Sequence, residues 1–165
     1  MDSLISWPHS ENDAIRYFSG TATYRNHVFL PKDYFKENIS LVLSLGNVKI
    51  IAEIIVNGHK LGTLWKSPFT IDLGKTVHEG INELEIKVTN LWPNRLIGDE
   101  QYIDDLPRKN HQPTAWPDWL TKGTQRTSGR TTIATWDHWH KTSKLLPSGL
   151  LGPVIVRPYV NKILR

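Results

Sequence analysis

The chain has 165 residues, a mass of 18.9 kDa and 39% hydrophobic residues, which is the size and composition of one globular domain. It contains no cysteine, which excludes disulfides, thiolate metal sites and cysteine nucleophiles, and it has no apolar run long enough to span a membrane. The formal charge is +4 and seven residues are tryptophan, so the basic and aromatic side chains need an explanation.

Up to residue 90 the hydrophobic residues alternate with period two, which predicts β-strands. The predicted strands cover 21–30, 39–45, 48–56, 61–65, 69–73 and 81–89. In the strand 48–56, Ile51 and Ile55 lie on the face opposite to the main apolar stripe, so we expect this strand to be central and covered on both sides. Asn57-Gly58 directly after it predicts a tight hairpin turn. Helix is expected at most as one turn, over 33–38.

Six or more short antiparallel strands predict the fold class. A single sheet would leave half of these apolar faces in water, so two sheets must stack. We therefore expect an all-β, antiparallel β-sandwich or jelly roll. It should occupy 17–160 as one domain, with an N-terminal extension at 1–16 and a C-terminal tail at 161–165. Trp65, which follows a strand pattern, is expected in the core.

The alternation stops over 90–130, which we predict to be one long irregular loop. Asn, Pro, Gly, Asp, Lys and Trp dominate it. Disordered segments are poor in aromatic residues, so a loop rich in tryptophan is expected to pack on another part of a protein. Alternation resumes at 131–136, and the final strand is predicted at 154–157.

Positive charge and tryptophan are concentrated in the same part of the chain. Residues 106–144 hold seven lysines and arginines against two acids. This region and its approach contain Trp92, Trp116, Trp119, Trp136 and Trp139. Such a mixture suits single-stranded nucleic acid, sugars that stack on indole, or docking against another domain. The composition does not choose among these partners.

Two pairs of neighbouring acids, Asp99-Glu100 and Asp104-Asp105, are the candidates for catalytic carboxylates. Two acids that flank a glycosidic bond can hydrolyse it. Acids in a loop are more often solvated or structural, and Arg95, four residues before Asp99, offers an ion pair that would stabilise the loop. The structural interpretation is favoured.

The histidines offer a weaker candidate site. His138 and His140 would lie on one side of a strand, with Asp137 directly before them, and could form a pair of metal ligands. A third ligand, His59 or His111, would have to arrive by folding, so surface or hydrogen-bonded histidines are the favoured interpretation. No nucleophile elbow, phosphate-binding loop, dinucleotide fingerprint or zinc-protease motif occurs.

Several segments resemble a known domain family. Residues 17–24, 45–58, 61–69 and 80–84 are similar, in the same order, to the sugar-binding-type β-sandwich of large glycoside hydrolases, which has galactose-binding (jelly-roll) topology. The more particular segments 89–100 and 145–154 resemble the C-terminal domain of α-L-rhamnosidase-type enzymes of family 106, and family 2 enzymes are more distant.

The resemblance implies a non-catalytic module of a larger glycosidase that degrades polysaccharide. Its catalytic carboxylates would lie outside this chain, and it would be secreted or periplasmic through the parent protein. The first ten residues lack the basic and apolar regions of a signal peptide, as expected for a piece of such a protein. No cofactor is expected, with bound calcium left open because no recognisable calcium loop is present.

The leading prediction is an accessory β-sandwich domain that packs on a catalytic domain through the loop 90–130 and contributes contacts to the sugar. The alternatives, in order, are an autonomous lectin-like carbohydrate-binding module, a small glycosidase that uses Asp99, Glu100 or Asp137, and a nucleic-acid-binding protein. Neither nucleic acid nor a membrane is the expected partner. The predicted carbohydrate or interdomain contacts are Trp92, Asn94, Arg95, Asp99, Glu100, Trp116, Trp119, Trp136 and His138.

Overall fold

A computed structural model describes residues 4–161 of the chain. The chain forms two compact units. Within the described residues, the first unit contains 4–6, 20–90 and 148–161, and the second contains 7–19 and 91–147. The predicted loop 90–130 therefore belongs to the second unit, apart from its first residue. The predicted tail lies outside the described residues except for Asn161.

The first unit consists mainly of β-strands, and the second contributes one short hairpin. In chain order the strands are β1 Thr21–Leu30, β2 Ile39–Ser44, β3 Asn47–Lys49, β4 Ile51–Val56, β5 His59–Leu64, β6 Thr70–Asp72, β7 Gly80–Thr89, β8 Arg108–Lys109, β9 Gln112–Pro113, β10 Gly149–Gly152 and β11 Ile155–Val160. A 3₁₀ turn covers Lys32–Phe35, close to the single turn predicted at 33–38.

The first unit has the predicted sandwich-like architecture. Its largest sheet has the order β1-β7-β4-β5, a second has the order β11-β2-β6, and β10 pairs with β3. All of these pairings are antiparallel. Apolar side chains from the sheets form one buried core that includes Leu43, Ile54 and Val88. The prediction of an all-β, antiparallel, sandwich-like fold is confirmed.

The hairpin between β4 and β5 turns at the predicted residues. Asn57 and Gly58 have φ angles of 48° and 78°, the left-handed values that a tight hairpin turn requires. The Asn57 amide also donates to the Asn82 Oδ1 atom at 2.8 Å, and its Oδ1 accepts from the Glu83 backbone N–H at 2.9 Å. Local turn chemistry and side-chain bonds therefore favour the same conformation.

The single strand predicted over 48–56 is wrong, because the chain changes sheets within it. β3 pairs with β10, whereas β4 pairs with β5 and β7. β4 is central, as predicted, but its second face is not covered: Ile51 is 39% exposed, and Glu53 on the same face pairs with Lys60 and Lys87. This face is therefore in contact with water and carries ion pairs.

Two further predictions about the strands are wrong. Trp65 is 66% exposed rather than buried, because it follows the end of the edge strand β5, and the Lys66 amine lies 5.3 Å from its ring centroid. Residues 131–136 form no strand, since their backbone is held by side chains of the second unit instead of a neighbouring strand.

The second unit contains short helices that were not predicted. They are α1 Asp13–Arg16, α2 Pro93–Asp99 and α3 Asp118–Thr121, with a 3₁₀ turn at Trp7–His9. A Cβ atom on the buried Gly98 would lie 2.6 Å from the Tyr17 Cβ atom, so only glycine permits this close approach of α2. Trp7 packs edge-on against Phe18 with ring centroids 5.3 Å apart. Within residues 4–161, no helix is long and apolar enough to cross a membrane.

Candidate functional site

The first pair of candidate carboxylates is neutralised by arginines. The Asp99 Oδ1 atom lies 2.9 Å from the Arg95 Nη2 atom, which confirms the ion pair predicted from their four-residue spacing. The Glu100 carboxylate lies 2.8 Å from Arg130, whose side chain is almost fully buried. Both acids are therefore engaged within the second unit.

Asp99 is also the acceptor for a turn of backbone that is distant in sequence. Its carboxylate is 2% exposed and accepts from the backbone N–H of Thr131 at 3.1 Å and of Thr132 at 2.6 Å, as well as from both threonine hydroxyls. Burial acts to raise the pKa of Asp99, but the hydrogen bonds from Thr132 and Thr131 and the Arg95 charge outweigh it and lower the pKa below its ordinary value. Asp99 is therefore held ionised and is not suited to donate a proton.

The second pair of acids has the same kind of partners. Asp104 pairs with Arg108 at 2.8 Å, and Asp105 accepts two bonds from Arg126, at 2.6 and 3.0 Å. Ser128 donates a further bond to Asp105 at 2.6 Å. The bonds from Arg126 and Ser128 lower the pKa of the Asp105 carboxyl, although burial opposes this.

In the folded chain, acids outside the basic segment 106–144 neutralise part of its positive charge. All three arginines of the segment, Arg108, Arg126 and Arg130, pair with acids that precede it. The cavity between these groups has a volume of about 20 Å³, enough for one water molecule and too small for a sugar ring. His138 lines this cavity, and its ring packs edge-on against Trp139 at 4.8 Å.

Two more of the predicted contact residues are structural. Asn94 is 1% exposed, and its amide group donates to the Leu146 carbonyl at 2.7 Å and accepts from the Leu146 N–H at 2.8 Å. Trp119 is half-buried, with the Arg126 guanidinium 4.2 Å from its ring centroid. Both side chains stabilise the second unit from within.

Trp116 and Trp136, in contrast, are brought together at the surface. They are 52% and 54% exposed and line one groove of about 330 Å³. The other lining residues are Gln112, Pro113, Thr114, Ala115 and Thr135. We call this feature the Trp116–Trp136 groove. Trp92 is 66% exposed but lies outside it.

The groove walls are held by the β8–β9 hairpin. Arg108 donates to the carbonyls of Ala134 and Thr135 at 2.6 and 3.3 Å. The His111 carbonyl accepts from the Asp137 N–H at 3.3 Å, and the His111 ring lies 3.2 Å from the Asp137 carboxylate. These bonds connect the hairpin to the segment that carries Trp136. The sequence contains no local signal that joins residues 26 positions apart in this way.

Two histidines, His111 and His140, lie near the Asp137 carboxylate. Although His111 reaches Asp137 by folding, and the His140 Nδ1 atom lies 3.9 Å from that carboxylate, no group of three or more histidine or acidic residues that could hold a metal ion exists among residues 4–161. His138 and His140 are both exposed, which agrees with the interpretation of surface or hydrogen-bonded histidines.

Comparisons with known proteins agree on one class of relative. No family model matches the chain. A protein of Formosa agariphila named "Putative beta-glucuronidase" is 52% identical over 163 residues, which are 99% of this chain and 14% of that protein. The structure of a rhamnosidase from Novosphingobium sp. PP1Y matches 96% of this chain and 13% of its own, with a TM-score of 0.75 and 33% identity.

This chain thus spans about one seventh of each relative. Nearly all of it aligns in both cases, so the similarity covers the first and the second unit. The resemblance predicted from the sequence is confirmed: the chain is similar to a β-sandwich part of large glycoside hydrolases, with a rhamnosidase among them.

Proposed function

We propose that this chain is an accessory, non-catalytic domain of a larger glycoside hydrolase that acts on polysaccharide. The observation that carries the proposal is the 52% identity over 99% of the chain to 14% of a much longer protein with a glycosidase name. A segment of this length that aligns from end to end is expected to behave as one domain of a multidomain enzyme.

The state of the carboxylates supports the absence of catalysis by this chain. Glycosidases need one carboxylic acid whose raised pKa keeps it protonated beside the scissile bond. Here the pKa values of Asp99 and Asp105 are lowered, and Glu100 and Asp104 pair with arginines. The cavity between these four acids also has no room for a sugar. In the proposed enzyme, the catalytic acids therefore belong to another domain. As part of the same proposal, the chain is exported together with its parent protein.

The exposed tryptophans of the second unit support a contact role. Large aromatic side chains are enriched at the centres of interfaces and pack well on sugars and on other proteins. Trp92, Trp116 and Trp136 are each more than half exposed. In the proposed enzyme these side chains contact the catalytic domain or the sugar that it holds.

Association with the rest of a relative tests the proposal. The segment that matches this chain is deleted from the Formosa protein, and the remaining protein is titrated with this chain in a calorimeter. We expect a one-to-one complex that Trp92→Ala weakens, with Lys122→Ala as an exposed control. Absence of binding at about 100 µM of both proteins, or hydrolysis of aryl glycosides by this chain alone, would contradict the proposal.

An autonomous carbohydrate-binding module is the second candidate, and the Trp116–Trp136 groove favours it. Such a module binds sugar without any catalytic domain. Saturable binding of an oligosaccharide by this chain, together with no affinity for the truncated relative, would replace the first proposal with the second.

A further inference from the structure

We infer that the Trp116–Trp136 groove binds a neutral pyranose ring of a polysaccharide. This inference deepens the proposed function and rests on it, because a domain of a glycosidase meets the polysaccharide on which the enzyme acts. The ligand class follows from the aromatic walls, the uncharged lining and the fixed geometry of the groove.

The aromatic walls provide the main binding surface. Trp116 and Trp136 leave 52% and 54% of their surface in water, although both belong to a compact unit that buries other indoles, such as that of Trp7. Exposed apolar surface of this kind marks binding sites. The C–H face of a pyranose ring is apolar and flat enough to stack on an indole, so each ring offers one platform for a sugar.

The polar lining matches hydroxyl groups rather than charges. Gln112 supplies an amide, and Thr114 and Thr135 supply hydroxyls. The Thr114 hydroxyl already donates to the Pro107 carbonyl at 3.0 Å, which leaves its oxygen as an acceptor for a sugar O–H.

No charged side chain is found among the seven described residues that line the groove. A uronate or a phosphate is bound most strongly by arginine or lysine, whereas a neutral sugar needs only hydrogen bonds and stacking. The lining therefore selects a neutral pyranose over an acidic one, and it disfavours a nucleic-acid strand.

The groove is also large enough and already shaped for a ligand. Its volume of about 330 Å³ lies at the lower end of the range for small-molecule sites, in contrast to the water-sized cavity at the acids. The bonds from Arg108 to the Ala134 and Thr135 carbonyls and the contact of His111 with Asp137 hold the wall that carries Trp136. A wall that is held before binding loses less conformational entropy on binding.

Tryptophan fluorescence of this chain, titrated with oligosaccharides, tests the inference. The neutral probes contain rhamnose or galactose, and the acidic probe is a glucuronate-containing oligosaccharide of the same length. We expect saturable quenching by at least one neutral probe and about tenfold weaker binding of the acidic one.

Single substitutions locate the site. Trp116→Ala and Trp136→Ala are each expected to weaken the neutral sugar by about tenfold or more, and Gln112→Ala by a few-fold. The matched control is Trp65→Ala, which removes a comparably exposed indole outside the groove and should leave the affinity unchanged. Thermal unfolding of every variant shows that the chain is still folded.

Three outcomes would overturn the inference. They are the absence of saturable quenching by any neutral probe at about 10 mM, tighter binding of the glucuronate probe, or unchanged affinity in the double variant of Trp116 and Trp136. If these two substitutions instead abolish association with the truncated Formosa relative, and no sugar quenches the tryptophan fluorescence, the groove is a protein contact. The inference then fails and the proposed function stands.

Discussion

The two units of this chain are stabilised by different interactions. The first unit buries apolar side chains from its sheets in one core, among them Leu45, Ala52 and Ile54, all of which are 0% exposed. The second unit has few fully buried apolar side chains, namely Trp7, Ile97 and Leu106. Its buried or half-buried arginines pair with carboxylates instead.

This difference explains how one chain combines a stable sandwich with exposed indoles. Hydrophobic burial is non-directional and scales with area, so a unit that depends on it hides its large apolar side chains. Charge-assisted hydrogen bonds are directional and can order a loop without burying every aromatic ring. The second unit can therefore be ordered while Trp116 and Trp136 remain available for a ligand.

The largest expected effect concerns the core of the first unit. Ile54→Ala should lower the free energy of unfolding by about 2–5 kcal/mol, because it leaves a cavity among side chains that cannot collapse fully. Ile51→Ala on the same strand is the matched control, and at 39% exposure it should cost less than about 1 kcal/mol. Urea denaturation followed by circular dichroism measures both. Equal losses would contradict a core on the Ile54 face.

The next effect concerns the polar centre of the second unit. Asp99→Ala removes the acceptor of the Thr131 and Thr132 amides and leaves Arg95 unpaired, so it should destabilise this unit by about 3 kcal/mol. Hydrogen exchange at those two amides should become faster. The control is Asp118→Ala, whose exposed pair with Lys122 is worth about 0.5 kcal/mol or less. Unchanged exchange in Asp99→Ala would show that the carboxylate does not hold this segment.

The smallest effect is a dependence on pH. Because folding lowers the pKa values of Asp99 and Asp105, their contribution to stability is complete above the unfolded value of about 4 and is lost as the pH falls through the folded values. Near-ultraviolet circular dichroism, to which Trp119 contributes through its packing on Arg126, should report the loss in acid. Asp105→Asn should make the acid transition less steep, and an unaltered slope would argue against the lowered pKa.

The fold of the first unit could be predicted well because its signals are local. β1 begins and ends at the predicted residues Thr21 and Leu30, and the turn at Asn57 and Gly58 follows from two residues alone. The helix α2 could not be predicted, since seven residues carry too short an apolar stripe and its position depends on the contact of Gly98 with Tyr17. The prediction of a buried Trp65 is wrong because the strand pattern gave no sign that β5 ends at Leu64 and lies at the edge of its sheet.

The candidate site was predictable only as a set of residue types. Trp116 and Trp136 were both candidates from their neighbours in the sequence, and the Arg95–Asp99 pair followed from the four-residue spacing of two opposite charges in a predicted loop. Sequence patterns did not distinguish these exposed indoles from the stacked Trp119, or the surface Trp92 from the buried Asn94. Such distinctions depend on contacts between distant segments.

Alternating apolar residues were sufficient to establish a β-sandwich, since the period of a strand is a property of neighbouring residues. The pairing of Asp105 with Arg126, the contact of His111 with Asp137 and the groove between two tryptophans were established only by the folded chain. Each of these joins residues that lie about 20 positions or more apart, and ion pairs and surface grooves have no period from which such a long-range contact can be predicted.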